Sequence, residues 1–258
     1  MCRFFALRAD RPVGLESSLV TAPHALVRQS CCDRRGECHE NGWGIGWYAD
    51  GRPQRVRSVR PAAQDPLFAE TAGRIRATTA IAHVRQASVG AVAERNCHPF
   101  TAGPWTFAHN GTLEGFDTDP DRLRRLIPEP YRSSVEGETD SAQVFQLLLA
   151  RLGDRRDAET VGRVVSEAVA ELAALYPGSE KDPTRLNVVL TDGEVMAVTR
   201  WGHSLSSAVW HGPGRARRTR MVTVASEPPS RDGWADVEPR TLLLIHNDLT
   251  VTVRGIGS

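Results

Sequence analysis

The chain has 258 residues, 40% of them hydrophobic and 24% charged, with 32 Lys and Arg against 31 Asp and Glu. That near-neutral balance gives no electrostatic attraction for nucleic acid or an anionic membrane, so neither is expected as a partner. No segment approaches the ~18 consecutive apolar residues of a bilayer span and no secretory leader opens the chain, so a cytoplasmic protein is expected, folded as one domain over residues 1–258.

Residues 2–7 read as a short first strand, and 16–29, interrupted by Pro23, as short helical turns leading to a polar loop at 31–41. The alternation of glycine and aromatic residues in Gly42-Trp43-Gly44-Ile45-Gly46-Trp47-Tyr48 predicts a strand that another backbone or a ligand approaches closely. Asp50-Gly51 is a turn signal, with a hairpin partner at 55–59. A helix over 66–75 capped by Asp65 and strands at 79–85 and 105–109 follow. Residues 121–127 read as a short helix, and 141–152 and 158–176 carry apolar stripes at helical spacing, after which strands return at 187–191, 195–201, 221–225, 241–246 and 249–253. Strands, then helices, then strands, with no repeat or linker between them, predict an α+β domain with helices packed on extended antiparallel sheets.

Cysteine at position 2 has chemical consequences. Removal of Met1 leaves a thiol and an α-amine on one residue, with ordinary pKa values near ~8.5 and ~7.7 to 8.0, so the amine can take the thiol proton. Position alone equally admits a small apolar residue opening a strand. The five cysteines, Cys2, Cys31, Cys32, Cys38 and Cys97, are odd in number and irregular in spacing, which argues against a secreted disulfide framework. Cys31, Cys32, Cys38 and His39 invite a zinc reading, but two adjacent cysteines do not easily face one ion, so these are taken as loop thiols and no metal is expected.

Three constellations stand at strand ends or helix starts: His83-Val84-Arg85-Gln86-Ala87-Ser88, His109-Asn110-Gly111, and Thr139-Asp140-Ser141. With Cys2 and Asn96-Cys97-His98-Pro99 they fall in the order of the H-x-R-x-A-[ST], N-x-H-P, H-N-G and T-D-[ST] segments of class II glutamine amidotransferases, N-terminal nucleophile hydrolases. The chain resembles that family clearly from Cys2 to about residue 152. The resemblance implies a four-layer αββα sandwich of two antiparallel sheets between helical layers. It also implies Cys2 as nucleophile, and an oxyanion hole from the Asn110 side-chain amide and the Gly111 backbone N–H. Read from residues alone, Asn110-Gly111 is as readily a hairpin turn. Arg85 offers a planar fork for a carboxylate and Ser88 a hydroxyl beside it, and the resemblance makes them the holders of the substrate's α-carboxylate and Asp140 the acceptor of its α-ammonium. An ordinary first-turn helix acid is the alternative for Asp140, with Thr139 as cap. His83 and His109 are expected as hydrogen-bonded supports, and Cys97 and His98 as packing behind the oxyanion-hole strand.

Asn41 stands where the stand-alone branch of the family usually has aspartate, in Asn41-Gly42-Trp43-Gly44-Ile45-Gly46, and Val89 where aminosugar-forming members tend to have histidine. Leu190-Thr191-Asp192-Gly193, Thr199-Arg200-Trp201-Gly202 and Ala225-Ser226-Glu227-Pro228 resemble the EgtC-type γ-glutamyl hydrolases of ergothioneine biosynthesis and their relatives in glutathione degradation. Ser226 and Glu227 either border the pocket or form a polar turn. The strand pattern runs to Ser258, so no ammonia-using synthase domain is expected. The implied substrate is a small-molecule γ-glutamyl amide, cleaved without a cofactor. A glutaminase subunit serving a separate synthase and a catalytically idle γ-glutamyl-binding scaffold are the alternatives, and a homo-oligomer or a partner subunit fits any of the three. Contacts to the leaving amine are expected from loops 31–40 and 212–220.

Overall fold

The computed structural model describes residues 2–211 and 219–257, so most of the loop foreseen at 212–220 lies outside the described residues. Its strands are β1 (Arg3–Gly14), β2 (Trp43–Ala49), β3 (Arg52–Ser58), β4 (Arg76–Val84), β5 (Phe100–Ala102), β6 (Trp105–Thr112) and β7 (Arg185–Thr191). The later ones are β8 (Met196–Arg200), β9 (Ser206–His211), β10 (Arg220–Ala225), β11 (Ala235–Asp236), β12 (Thr241–Ile245) and β13 (Val251–Gly255). The α-helices are α1 (Leu26–Cys31), α2 (Pro66–Arg74), α3 (Pro120–Arg124), α4 (Asp140–Leu152) and α5 (Ala158–Leu175). One sheet has the strand order β11-β9-β10-β1-β4-β2-β3, the other β13-β12-β8-β7-β6-β5, and neighbouring strands run antiparallel.

Strand alternation makes the layers. On β1, Phe5 and Leu7 pack with Leu26 of α1 and Phe68 of α2, whereas Phe4 and Ala6 point the other way and meet Ala108 of β6 and Val189 of β7. The second sheet repeats this: Phe107 and Leu190 turn outward onto Phe145 of α4 and Val165 of α5. Three cores thus separate four layers, and the αββα order is the one the resemblance implies. Each fully buried Phe, Leu or Val contributes roughly 1.5–3 kcal/mol to holding the layers together.

Local chemistry sets the element ends. Asp65 caps α2 by accepting from Leu67 N at 3.2 Å, as foreseen, and also takes the Trp43 indole N–H at 3.1 Å and the Ser58 hydroxyl at 2.7 Å. Thr139 caps α4 through Ala142 N, and Gly153 closes that helix with φ 55°. The glycines of β2 have the predicted reason: a Cβ on Gly44 would lie 2.2 Å from His98 O, and one on Gly46 2.7 Å from Pro99 Cγ.

Some expectations need correction. β1 extends to Gly14 rather than stopping at Leu7, because β4 pairs with it beyond a register shift between Arg8 and Val13. β5 and β9 were not foreseen, one too short for periodicity and the other carrying Ser206, Ser207 and His211 among its six residues. The hairpin alternative for Asn110-Gly111 fails: both residues lie inside β6, opposite Asn187 and Leu186 of β7.

Candidate active site

Topology places position 2 at the end of a strand in the interior of a sheet. β1 lies between β4 and β10, with Arg3 opposite Val84, so Cys2 emerges beside the segment that follows β4. The Cys2 thiol lies 3.4 Å from both the carbonyl oxygen and the amide nitrogen of Gln86, donating to the first and accepting from the second. Burial is the largest influence on the thiol and pushes its pKa up; the Gln86 amide, the chain terminus, Arg85 and Arg3 pull it back.

Cys2, Arg85, Gln86, Ser88, Gly111 and Asp140 line a single cavity of about 20 Å³. That is room for one water molecule. A wider cavity of about 640 Å³ lies between the β5–β6 hairpin and α4, but none of these six residues lines it. Arg85 is buried, and its guanidinium donates to the carbonyls of Ala91 at 3.1 Å, Val89 at 2.9 Å and Gly90 at 3.4 Å. Asp140, also buried, accepts from Leu113 N at 2.8 Å and from Ser141 N at 2.7 Å. Ser88 is exposed at the rim, its hydroxyl 2.9 Å from that of Thr112.

Asn110 is wholly buried, and its Nδ2 donates to Ser226 Oγ at 3.1 Å. Ser226 in turn accepts from Phe4 N at 3.1 Å, so one hydroxyl joins the amide of β6 to the strand that carries Cys2. Gly111 is glycine for a steric reason: a Cβ there would stand 1.9 Å from Arg185 O and 2.7 Å from His109 Nε2. His109 donates from Nε2 to Arg185 O at 2.9 Å, leaving Nδ1, when the ring is neutral, to accept from Ser141 Oγ at 2.9 Å. His83 reaches His109 O at 3.2 Å, and His98 packs between His83 and Phe100 at centroid distances of 4.4 and 4.6 Å. Burial, the foremost cause, lowers His83 to about 3 and His98 well below the ordinary histidine value. Neutral rings so depressed serve as packing groups, with His83 also hydrogen-bonded to His109 O.

Sequence reasoning missed a buried charge cluster behind Cys2. Arg3 donates to Cys2 O at 2.9 Å, to Glu227 Oε1 at 3.2 Å and, through a very short contact, to Asp33 Oδ2. Asp33 also takes Arg35 N and Glu37 N from its own loop and faces His39 Nε2 at 3.1 Å. Glu227 accepts from Arg34 N. The available signal was an arginine inside the apolar run Cys2-Arg3-Phe4-Phe5, since a buried guanidinium needs carboxylate partners. Ser226 and Glu227 therefore support β1, the strand that follows Cys2. Asn41 accepts from Ala87 N at 2.9 Å and steadies the segment after Arg85, a task that needs an acceptor oxygen and no charge. His39 is engaged with Asp33 and lowered to about 4, first by burial and then by Arg3, while Cys31, Cys32 and Cys38 are exposed. Among the described residues no group of three or more His, Cys, Asp or Glu side chains is arranged to hold a metal ion. No helix among them is long and apolar enough to cross a membrane.

An N-terminal-strand cysteine sharing a cavity with an arginine, a buried carboxylate and a strand glycine between two stacked sheets defines a class, and the comparisons agree with it. Residues 1–255 match the family described as glutamine amidotransferases class-II, and the chain belongs to that family of amidohydrolases. Among curated proteins it is 32% identical to the gamma-glutamyl-hercynylcysteine sulfoxide hydrolase of Mycolicibacterium smegmatis, over 94% of this chain and 95% of that one. It is 26% identical to the probable glutamine amidotransferase DUG3 of Saccharomyces cerevisiae, over 95% of this chain and 82% of that one. Among solved structures, a glutamine aminotransferase class-II domain protein from Silicibacter pomeroyi superposes with a TM-score of 0.68 at 23% identity, covering all of both chains. A Bacillus subtilis glutamine phosphoribosylpyrophosphate amidotransferase gives 0.66 at 16% identity, over 99% of this chain and 49% of that one. These last two likenesses establish the shared fold.

Proposed function

We propose that this amidohydrolase cleaves a γ-glutamyl amide, with Cys2, freed of Met1, as nucleophile. The α-amine of Cys2 takes the thiol proton, and the thiolate attacks the δ-carbonyl. The Asn110 amide and the Gly111 N–H stabilise the oxyanion, the amine departs with the proton, and water cleaves the γ-glutamyl thioester to release glutamate and restore the thiol. Arg85 and Ser88 receive the α-carboxylate, and Asp140 the α-ammonium. The observation that carries this reading is the single cavity lined by Cys2, Arg85, Gly111 and Asp140.

At about 20 Å³ that cavity is too small for a glutamyl group. Admission therefore requires the 86–91 segment to withdraw, with Arg85 exchanging carbonyl partners for the incoming carboxylate. The likeness to the mycobacterial gamma-glutamyl-hercynylcysteine sulfoxide hydrolase supports a sulfur-bearing leaving amine and a place in an ergothioneine-type pathway. Intact mass spectrometry after incubation with a panel of γ-glutamyl compounds tests the proposal. Loss of Met1, a glutamyl adduct on Cys2 and release of glutamate are expected, and Cys2→Ala is expected to abolish release. Full activity in Cys2→Ala, or in a chain that retains Met1, sinks it. Turnover of glutamine alone, stimulated by a synthase partner, points instead to an ammonia-supplying subunit.

A further inference from the structure

The loop that braces Arg3 is a small hairpin. Gly36 N donates to Asp33 O at 3.0 Å and Asp33 N to Glu37 O at 3.0 Å, with Gly36 at φ 78°, which makes a type I turn closed by a glycine bulge. A second rung, His39 N to Ser30 O at 2.8 Å, closes the neck on its other side. Between the rungs stand Cys31 and Cys32 on one arm and Cys38 on the other, and it is Cys32 and Cys38 that lie one residue outside the Asp33–Glu37 pair. The backbone of Cys32 is extended, at φ −161° and ψ 112°. Residues so opposed in an antiparallel pair lie about 4.5 to 5.5 Å apart between Cα atoms and project to the same side, inside the ~4.4 to 6.8 Å window of a disulfide. The burial pattern agrees: Cys32 and Cys38 are both exposed, while Asp33 and His39 beside them are buried. Both Cys31 and Cys32 lie near enough to act on the Cys38 thiol, and the Cys31→Ser variant tells them apart.

We infer that Cys32 and Cys38 are a reversible disulfide-forming pair across the neck of the loop that braces the nucleophile, oxidised by low-molecular-weight disulfides. One thiol attacks the small disulfide, forming a mixed disulfide and releasing one small thiol. The second cysteine displaces the other small thiol, so two protein thiols are oxidised as one external disulfide is reduced to two thiols. The bond closes over Asp33, whose carboxylate holds Arg3, and Arg3 holds the Cys2 carbonyl. The thiol–disulfide balance outside the protein thereby reaches the rigidity of the nucleophile's support without entering the catalytic cavity. The inference does not depend on the proposed substrate.

The test uses the full-length Cys2→Ala protein, which removes the catalytic-site thiol, incubated with oxidised glutathione and digested with trypsin without reduction. Cleavage after Arg34 and Arg35 separates the two arms, so peptides bearing Cys32 and Cys38 stay joined only through the new bond. The expected result is that linked pair, two hydrogens lighter than the reduced peptides, reversed by dithiothreitol, with a melting temperature higher by about 2 to 6 °C. Adding Cys31→Ser is expected to leave the bridge intact. Adding Cys32→Ser or Cys38→Ser is expected to leave single glutathione adducts and no thermal gain. Stable glutathione adducts without a bridge in Cys2→Ala, or a bridge that vanishes with Cys31→Ser, overturn the inference.

Discussion

An amide side chain helps an oxyanion only if its N–H points at the developing charge before the charge appears. Asn110 Nδ2 has two hydrogens, and Ser226 Oγ at 3.1 Å takes one, which fixes the plane of the amide and the direction of the other. On the proposed mechanism, Asn110→Ala lowers kcat about 10²–10³-fold. Ser226→Ala lowers it about tenfold, the worth of one orienting hydrogen bond of ~1.4 kcal/mol, with KM nearly unchanged. Steady-state kinetics on both variants decide the point: an unaltered kcat in Ser226→Ala, alongside a lowered unfolding midpoint, would leave Ser226 only a packing role. The proposed site residues Cys2, Arg85, Asn110, Gly111 and Asp140 could be named from the sequence because each sits in a short local motif. The supports were not legible, since Arg3 meets Asp33 across 30 residues and Glu227 across 224, distances that only the sheet topology closes.

At the scale of elements, the same tripeptide shows where sequence pattern loses force. Asn-Gly is a strong hairpin signal in isolation, yet here it is the end of a strand whose partner, β7, begins more than 70 residues later, so no local pattern announces the pairing. By contrast Gly42, Gly44 and Gly46, just before and within β2, were readable, because three glycines in five residues beside tryptophans leave few explanations other than close approach. Tight packing of β6 against β7 makes Gly111 costly to change. Gly111→Ala puts a Cβ 1.9 Å from Arg185 O, and the two strands must separate to accept it. A loss of about 1–3 kcal/mol in urea unfolding is expected, together with lost turnover. Gly73→Ala is the control: no atom lies within 4 Å of an added Cβ, the site is in helix α2, and a slight gain is expected from helix propensity. Equal stabilities for Gly111→Ala and the parent protein would mean that β6 and β7 are not held as tightly as this geometry requires.

At the scale of the molecule, stacking two sheets face to face buries the inward ends of their strands, and the chemistry at those ends is taken out of water with them. His39, His83, His98 and His203 all lie at 5% exposure or less. Burial is the first cause in each case, lowering His39 to about 4, His83 and His203 to about 3, and His98 well below its ordinary value. The linkage sign follows directly. In the unfolded chain these rings take up protons below about pH 6.5, whereas the folded chain keeps them neutral, so the unfolded state binds more protons and stability falls as pH falls. The stability is fully present above about pH 6.5 and is lost from there down through the lowered folded values. Each histidine approaches about 1.4 kcal/mol per pH unit in that window, so four of them give up to about 5 to 6 kcal/mol per unit. Urea unfolding at intervals from pH 7.5 to 5 measures the slope. His203→Gln, outside the cavity that holds Cys2, is expected to reduce it by roughly a quarter, whatever its effect on stability at pH 7.5. A flat profile between pH 6.5 and 5 is incompatible with four neutral buried rings. It would mean that water or an anion reaches the space between the sheets, and with it the cavity that holds Cys2.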